Sequence, residues 1–156
     1  MSEITHVPSD LLASPTFQLE RLRRRTRDFV ETALAKQGFN LRQYWALTCL
    51  VDGDASSQAA LGDILHIDRS DMVRLEDSLE EHALAERMRD PNDRRRQIIS
   101  VTKKGRRAHA GLADLVQQAE EDALNASTPK QLRQLVKLAE VIMDSAKNLE
   151  SADSTV

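Results

Sequence analysis

At 156 residues, 40% of them apolar, the chain fits one domain or one domain with an appended oligomerisation element. Aromatic residues make up only 3%, which argues against a base-stacking platform; the single Cys49 rules out an intrachain disulfide and a cysteine-rich zinc site. The formal charge of −3 is unevenly spread: residues 87–107 hold nine Arg or Lys against two Asp, a local +7, so the remainder carries −10.

Residues 1–15 contain two prolines and small polar residues, and read as a flexible N-terminal arm without a basic-then-apolar export signal. No apolar run is long enough to span a bilayer, so a cytoplasmic protein with no membrane association is expected. Leu22, Phe29, Val30 and Ala33 recur at helical spacing over about 16–37, and Gly38 ends that helix. Asn40 and Gln43 form an N-cap pair that opens a helix through Leu41, Leu47 and Leu50. Ser56 or Ser57 caps a short helix from Gln58 to about Leu65, and Asp68 caps the next, about 69–82. The period then changes. Leu84–Arg89 and Gln97–Thr102 are short strand-like runs around the turn signal Asp90-Pro91-Asn92-Asp93. Helices are predicted again from Lys103 to about Ala126 and, after the cap Thr128-Pro129-Lys130-Gln131, to about Leu149. Residues 151–156 read as a disordered tail.

Two short adjacent helices followed by a hairpin describe a winged helix-turn-helix. The expected fold is mainly α with a small β-hairpin wing. Residues 40–103 form the DNA-binding lobe, and 16–38 with 104–150 form N- and C-terminal dimerisation helices. In the 69–82 helix, Met72, Leu75, Leu79 and Ala83 share one face and are expected to bury. Arg69, Ser70 and Asp71 occupy its first turn, with Arg74 on the outer face, where a helix of this motif meets base edges. An arginine such as Arg74 can make a bidentate contact to guanine or bind a phosphate. The acids Glu76, Asp77, Glu80 and Glu81 in the second half are expected to be solvated and to face away from DNA.

The hairpin tip is Asp93-Arg94-Arg95-Arg96. Three adjacent cations repel unless solvent or a polyanion lies near, and a narrow minor groove attracts an inserted arginine. Asp93 is spaced to accept hydrogen bonds from Arg95 and hold it extended. Ser56, Ser57 and Gln58 at a helix N-terminus, and Lys103 and Lys104 after the hairpin, are further candidates for phosphate contact. For each of these five, capping or solvation explains the residue equally well.

The stretch IDRSDMVRLEDSLEEHALAERMRDPNDRRRQIISVTKKG, Ile67 to Gly105, resembles the MarR family of bacterial regulators, most specifically in DPNDRRR and VTKKG. The resemblance implies a dimer on a pseudo-palindromic operator, usually acting as a repressor. It assigns Asp93 and Arg95 to the family's wing pair and Arg74 to its recognition-helix arginine. Two positions depart from the pattern: His66 and Ala83 stand where the family commonly has Gly. The resemblance also implies a ligand cleft between dimer helices and DNA-binding lobe, taking small aromatic acids or phenols. Tyr44 and Trp45 are candidates to line it, although plain core packing suits them as well.

In the last helix Leu132, Leu135, Ala139, Ile142, Ala146 and Leu149 form a heptad-like seam, widened by Val136, Leu138 and Met143. A second copy of the chain is the economical partner. Cys49 lies among apolar neighbours without an adjacent cation, unlike a reactive thiol, and single-cysteine sensors resembling this family place theirs near the start of the first long helix. A thiol redox sensor using Cys49 is therefore a lesser reading. No two of the four histidines are spaced i, i+4, and no metal or other cofactor is expected. No phosphate loop, G-x-S-x-G or H-E-x-x-H motif is present, so no enzyme is expected. A competing reading is a helical adaptor whose basic hairpin docks an acidic protein.

Overall fold

The computed structural model describes the backbone of residues 3–153 and the side chains of residues 3–147. It divides into two units, residues 1–123 and 124–156. The first unit contains α1 (Ser9–Leu12), α2 (Pro15–Ala35), α3 (Leu41–Gly53), β1 (Ala55–Ser57), α4 (Gln58–Leu65), α5 (Arg69–Glu81), β2 (Ala85–Arg89), β3 (Gln97–Val101) and α6 (Lys103–Ala123). The second is built on α7 (Pro129–Asp153). The fold is mainly helical, as expected, with a small antiparallel sheet in the order β1-β3-β2.

Side-chain caps set most of the helix starts. Ser14 accepts from the Phe17 amide with Pro15 in the first turn, and Asn40 and Gln43 exchange both capping-box bonds. Ser57, not Ser56, caps α4, and Asp68 caps α5 through the Asp71 amide. Each cap supplies an acceptor to a first-turn amide that the helix itself leaves unpaired. The arm is not wholly irregular, since α1 lies within residues 1–15.

Two apolar clusters order the first unit. One gathers Leu47 and Leu50 of α3, Leu61 of α4, Met72, Leu75 and Leu79 of α5, Leu84, and Ile99 of β3. It joins the helix-turn-helix to the wing. The other packs Val30 and Leu34 of α2 and Leu41 against Leu112, Val116 and Ala119 of α6. At the junction Thr102 donates its hydroxyl to the Ala83 carbonyl and its amide to Leu84. Gly105 packs so close to the Leu84 carbonyl that a Cβ there would collide with it, which explains a glycine in the first turn of α6.

Three expectations need correction. The wing is a three-stranded sheet, because Ala55–Ser57 pairs with Ser100–Ile98 of β3. A three-residue polar strand has no period of its own to reveal it. Ala83 does not continue the apolar face of α5: it lies beyond the helix, exposed, with φ 56°. Glu76, expected in solvent, is fully buried.

In the second unit, Thr128 and Gln131 form the capping box that starts α7. Leu135, Ile142, Ala139 and Ala146 are exposed on this helix, with Val136, Leu138, Val141 and Met143, whereas Leu132 is half-buried. The side chain of Leu149 lies outside the described residues. The helix runs through Asp153, where a tail was expected from 151; residues 154–156 are outside the description. Among the described residues no helix is long and apolar enough to cross a membrane.

Candidate nucleic-acid interface

The first turn of α5 is a small charge network. Asp68 accepts from the Asp71 amide at 2.9 Å and from the Ser70 hydroxyl at 2.7 Å. Those hydrogen bonds hold its carboxyl below the ordinary value for an aspartate. Asp71 lies 3.0 Å from Arg42 on α3 and 3.5 Å from Arg74. Ser70 and Asp71 are therefore largely engaged within the protein. Arg69 is exposed, and the Arg74 side chain is 81% exposed, steered only by Asp71. Arg42 is a member of this network that the sequence did not suggest; its partner is 29 positions away.

The wing tip is organised by two aspartates. Asp93 Oδ1 accepts from the Arg95 amide at 3.0 Å and from its Nε at 3.3 Å. The Arg95 side chain is nonetheless 92% exposed, so the contact braces it without covering it. Asp90, read from the sequence only as a turn former, is buried. It accepts from the Asn92 amide at 2.8 Å and lies 3.7 Å from Arg96, while the amide of residue 90 closes the tip onto the Arg96 carbonyl. Arg94 is exposed. The tip does not fold back onto the acidic half of α5.

That acidic half has its own cation. Arg87 of β2 bonds Glu80 at 2.6 Å and Asp77 at 2.5 Å, and lies 3.7 Å from the buried Glu76. Glu80 is held below its usual range by the hydrogen bonds of Arg87. Arg106 pairs in the same way with Asp54. Arg87 and Arg106 are thus held by acids outside the wing tip, whereas Arg95 and Arg96 pair with the tip's own Asp93 and Asp90, and Arg95 stays open to solvent.

A cleft of about 400 Å³ brings the separate candidates together. It is lined by Ser57 and Gln58 at the start of α4, Arg69 at the start of α5, and Arg95 and Arg96 of the tip. The Gln58 Nε2 is buried there without a hydrogen-bond partner. The Ser56 hydroxyl instead turns to the Ser57 carbonyl. Lys103 and Lys104 are exposed at the start of α6 and do not line this cleft.

Tyr44 and Trp45 diverge. Tyr44 packs on the α2–α6 cluster and stacks on His109 at 5.3 Å between ring centroids, whereas Trp45 is 41% exposed. His109 lies 2.9 Å from the Thr48 hydroxyl, and burial pushes its pKa down. The Cys49 thiol is pushed up by burial and by the charge of Asp52, the opposite of an activated thiolate.

A helix packed by one face on the short helix before it and followed by a cationic β wing defines a winged helix-turn-helix. Residues 39–96 match the model of the MarR family. A Thauera aromatica protein named as a transcriptional regulatory protein for the hcr operon is 31% identical over 96 residues, 62% of this chain and 58% of that relative's length. A MarR-family transcriptional regulator from Rhodococcus sp. RHA1 superposes with a TM-score of 0.79 at 26% identity, covering 88% of this chain and 96% of the other. CouR from Rhodococcus jostii RHA1, solved bound to p-coumaroyl-CoA, gives 0.75 at 26% identity over 86% and 95%. The chain thus resembles the MarR family in sequence over residues 39–96 and shares the fold of its Rhodococcus member.

Proposed function

We propose that this chain is a sequence-specific, duplex-DNA-binding transcriptional repressor acting in the bacterial cytoplasm as a homodimer. The observation that carries the proposal is the convergence of Ser57, Gln58, Arg69, Arg95 and Arg96 on one cleft, with Arg74 exposed on the same helix as Arg69. In this reading the N-terminal half of α5 enters the major groove, where Arg74 meets a guanine edge or a phosphate. Arg95, braced by Asp93, enters the flanking minor groove. The start of α4 and Lys103 and Lys104 take backbone phosphates, which fix register without reading sequence. Pairing through α2, α6 and α7 sets two such lobes about one DNA turn apart, on the order of 34 Å.

Release of DNA by a small aromatic ligand belongs to the same proposal. The neighbour CouR was solved with p-coumaroyl-CoA, a larger thioester, which supports an aromatic moiety in the ligand. Of the two aromatic candidates Trp45 is the one open to a ligand, being exposed on α3, whereas Tyr44 is turned to the α2–α6 cluster. Selection from random duplexes tests the DNA reading: a symmetric enriched motif is expected. Arg95→Ala should then weaken binding to that motif by about 1–3 kcal/mol. A selection without any motif would overturn the proposal and return the adaptor reading to first place, and an unchanged titration for Arg95→Ala would remove the wing assignment.

A further inference from the structure

The outward arc of α5 contains Arg69, Ser70, Val73, Arg74 and Asp77, all exposed. The Ser70 hydroxyl is bound to Asp68, and Asp77 is held by Arg87. Arg69, Arg74 (open to solvent although paired with Asp71) and one apolar side chain remain available to a partner. Val73 is 39% exposed, with polar or charged residues on either side along the arc. Nothing local favours valine there, since a β-branched residue on an open helix surface is a poorer helix former than Ala, Lys or Glu. Its methyls are held close to one rotamer by the helix, so little freedom is lost when something packs on them. The major groove presents a single apolar group, the C5-methyl of thymine.

We propose that Val73 is a specificity-determining residue that packs on the C5-methyl of a thymine in each half-site, next to the base pair approached by Arg74. Arg74 supplies hydrogen bonds to one base edge, and Val73 distinguishes its neighbour by excluding water from a methyl group. The inference rests on the DNA-binding reading above and adds one base to what the site reads.

The experiment uses the full chain and the duplex recovered by random selection. Each thymine is replaced by deoxyuridine, symmetrically and one position at a time, which removes only the methyl. Binding is followed by fluorescence anisotropy for the wild type, Val73→Ala and Val73→Thr. For the wild type, one position per half-site should weaken binding about fourfold per half-site, the value of burying one such group. Val73→Ala should bind the thymine duplex more weakly by a similar factor and be indifferent to deoxyuridine at that position. Val73→Thr, which keeps one methyl, should recover part of the sensitivity. An enriched motif with no methyl-sensitive thymine overturns the Val73 assignment alone, as does a sensitivity that persists in Val73→Ala. Absence of any enriched motif overturns the DNA-binding reading, and this inference with it.

Discussion

Glu76 sits fully buried on α5, and neither of its carboxylate oxygens accepts a hydrogen bond. Loss of water pushes its carboxyl above the ordinary glutamate value; Arg87 at 3.7 Å opposes that, while Asp77 and Glu80 add to it. Arg87 is shared among three acids, so one cation must serve several carboxylates. A buried carboxylate in that position contributes little to stability or opposes it. Because the folded-state pKa is raised, the contribution of this group is most favourable below the ordinary glutamate value and is lost as pH rises through the folded-state value. Glu76→Gln keeps the shape and removes the charge. It should stabilise the protein by about 1 kcal/mol near neutral pH. The advantage should shrink toward about pH 4, where the wild-type side chain is already protonated. Thermal melts of both proteins across that range measure the difference. A variant less stable than the wild type at neutral pH would mean that Arg87 repays the burial of the charge.

At the scale of elements, the turns after α4 and α5 are made without glycine. His66 has φ 52° and Ala83 φ 56°, the left-handed region that Cβ atoms disfavour. The geometry that glycine would supply persists, and the cost falls on the folded state. Ala83→Gly relieves it and gives back some chain entropy in the unfolded state, a net gain of about 0.5–1 kcal/mol. Urea denaturation should show a higher midpoint at unchanged slope; a lower midpoint would show that the Ala83 side chain is doing something its exposure does not suggest. His66→Gly should gain less, since histidine enters this region more readily than most residues. What the sequence reveals at this scale follows sequence distance. The caps at Asn40, Asp68 and Thr128 and the brace between Asp93 and Arg95 join residues within three positions, so local pattern is enough to find them. The Arg42–Asp71 bridge, the pairing of β1 with β3 and the burial of Glu76 beside Arg87 arise only when distant segments meet. Ala83 misleads for a related reason: helical spacing assigns it to the apolar face, but the chain has already turned left-handed there.

For the whole molecule, the decisive quantity is how many lobes meet the DNA at once. One lobe of a chain with net charge −3 neutralises only part of an operator's phosphates, and Arg87 and Arg106 are already paired with internal acids. Joining two lobes makes the second encounter intramolecular. In the proposed dimer the seam on α7 supplies the link, and Leu135 and Ile142 are both exposed and a heptad apart. Replacing both by Glu adds like charges to each copy of the seam and should leave a folded monomer. Sedimentation should record one chain rather than two. Affinity for a two-half-site duplex should fall about a hundredfold or more, while affinity for a single half-site stays as it was. The slope of log affinity against log salt should fall by about half, because half as many phosphates are neutralised. A variant that sediments as a dimer would remove α7 from the interface. A monomer that still binds the full palindrome at wild-type affinity would remove the coupling between lobes, and with it the reason for reading the operator as two half-sites.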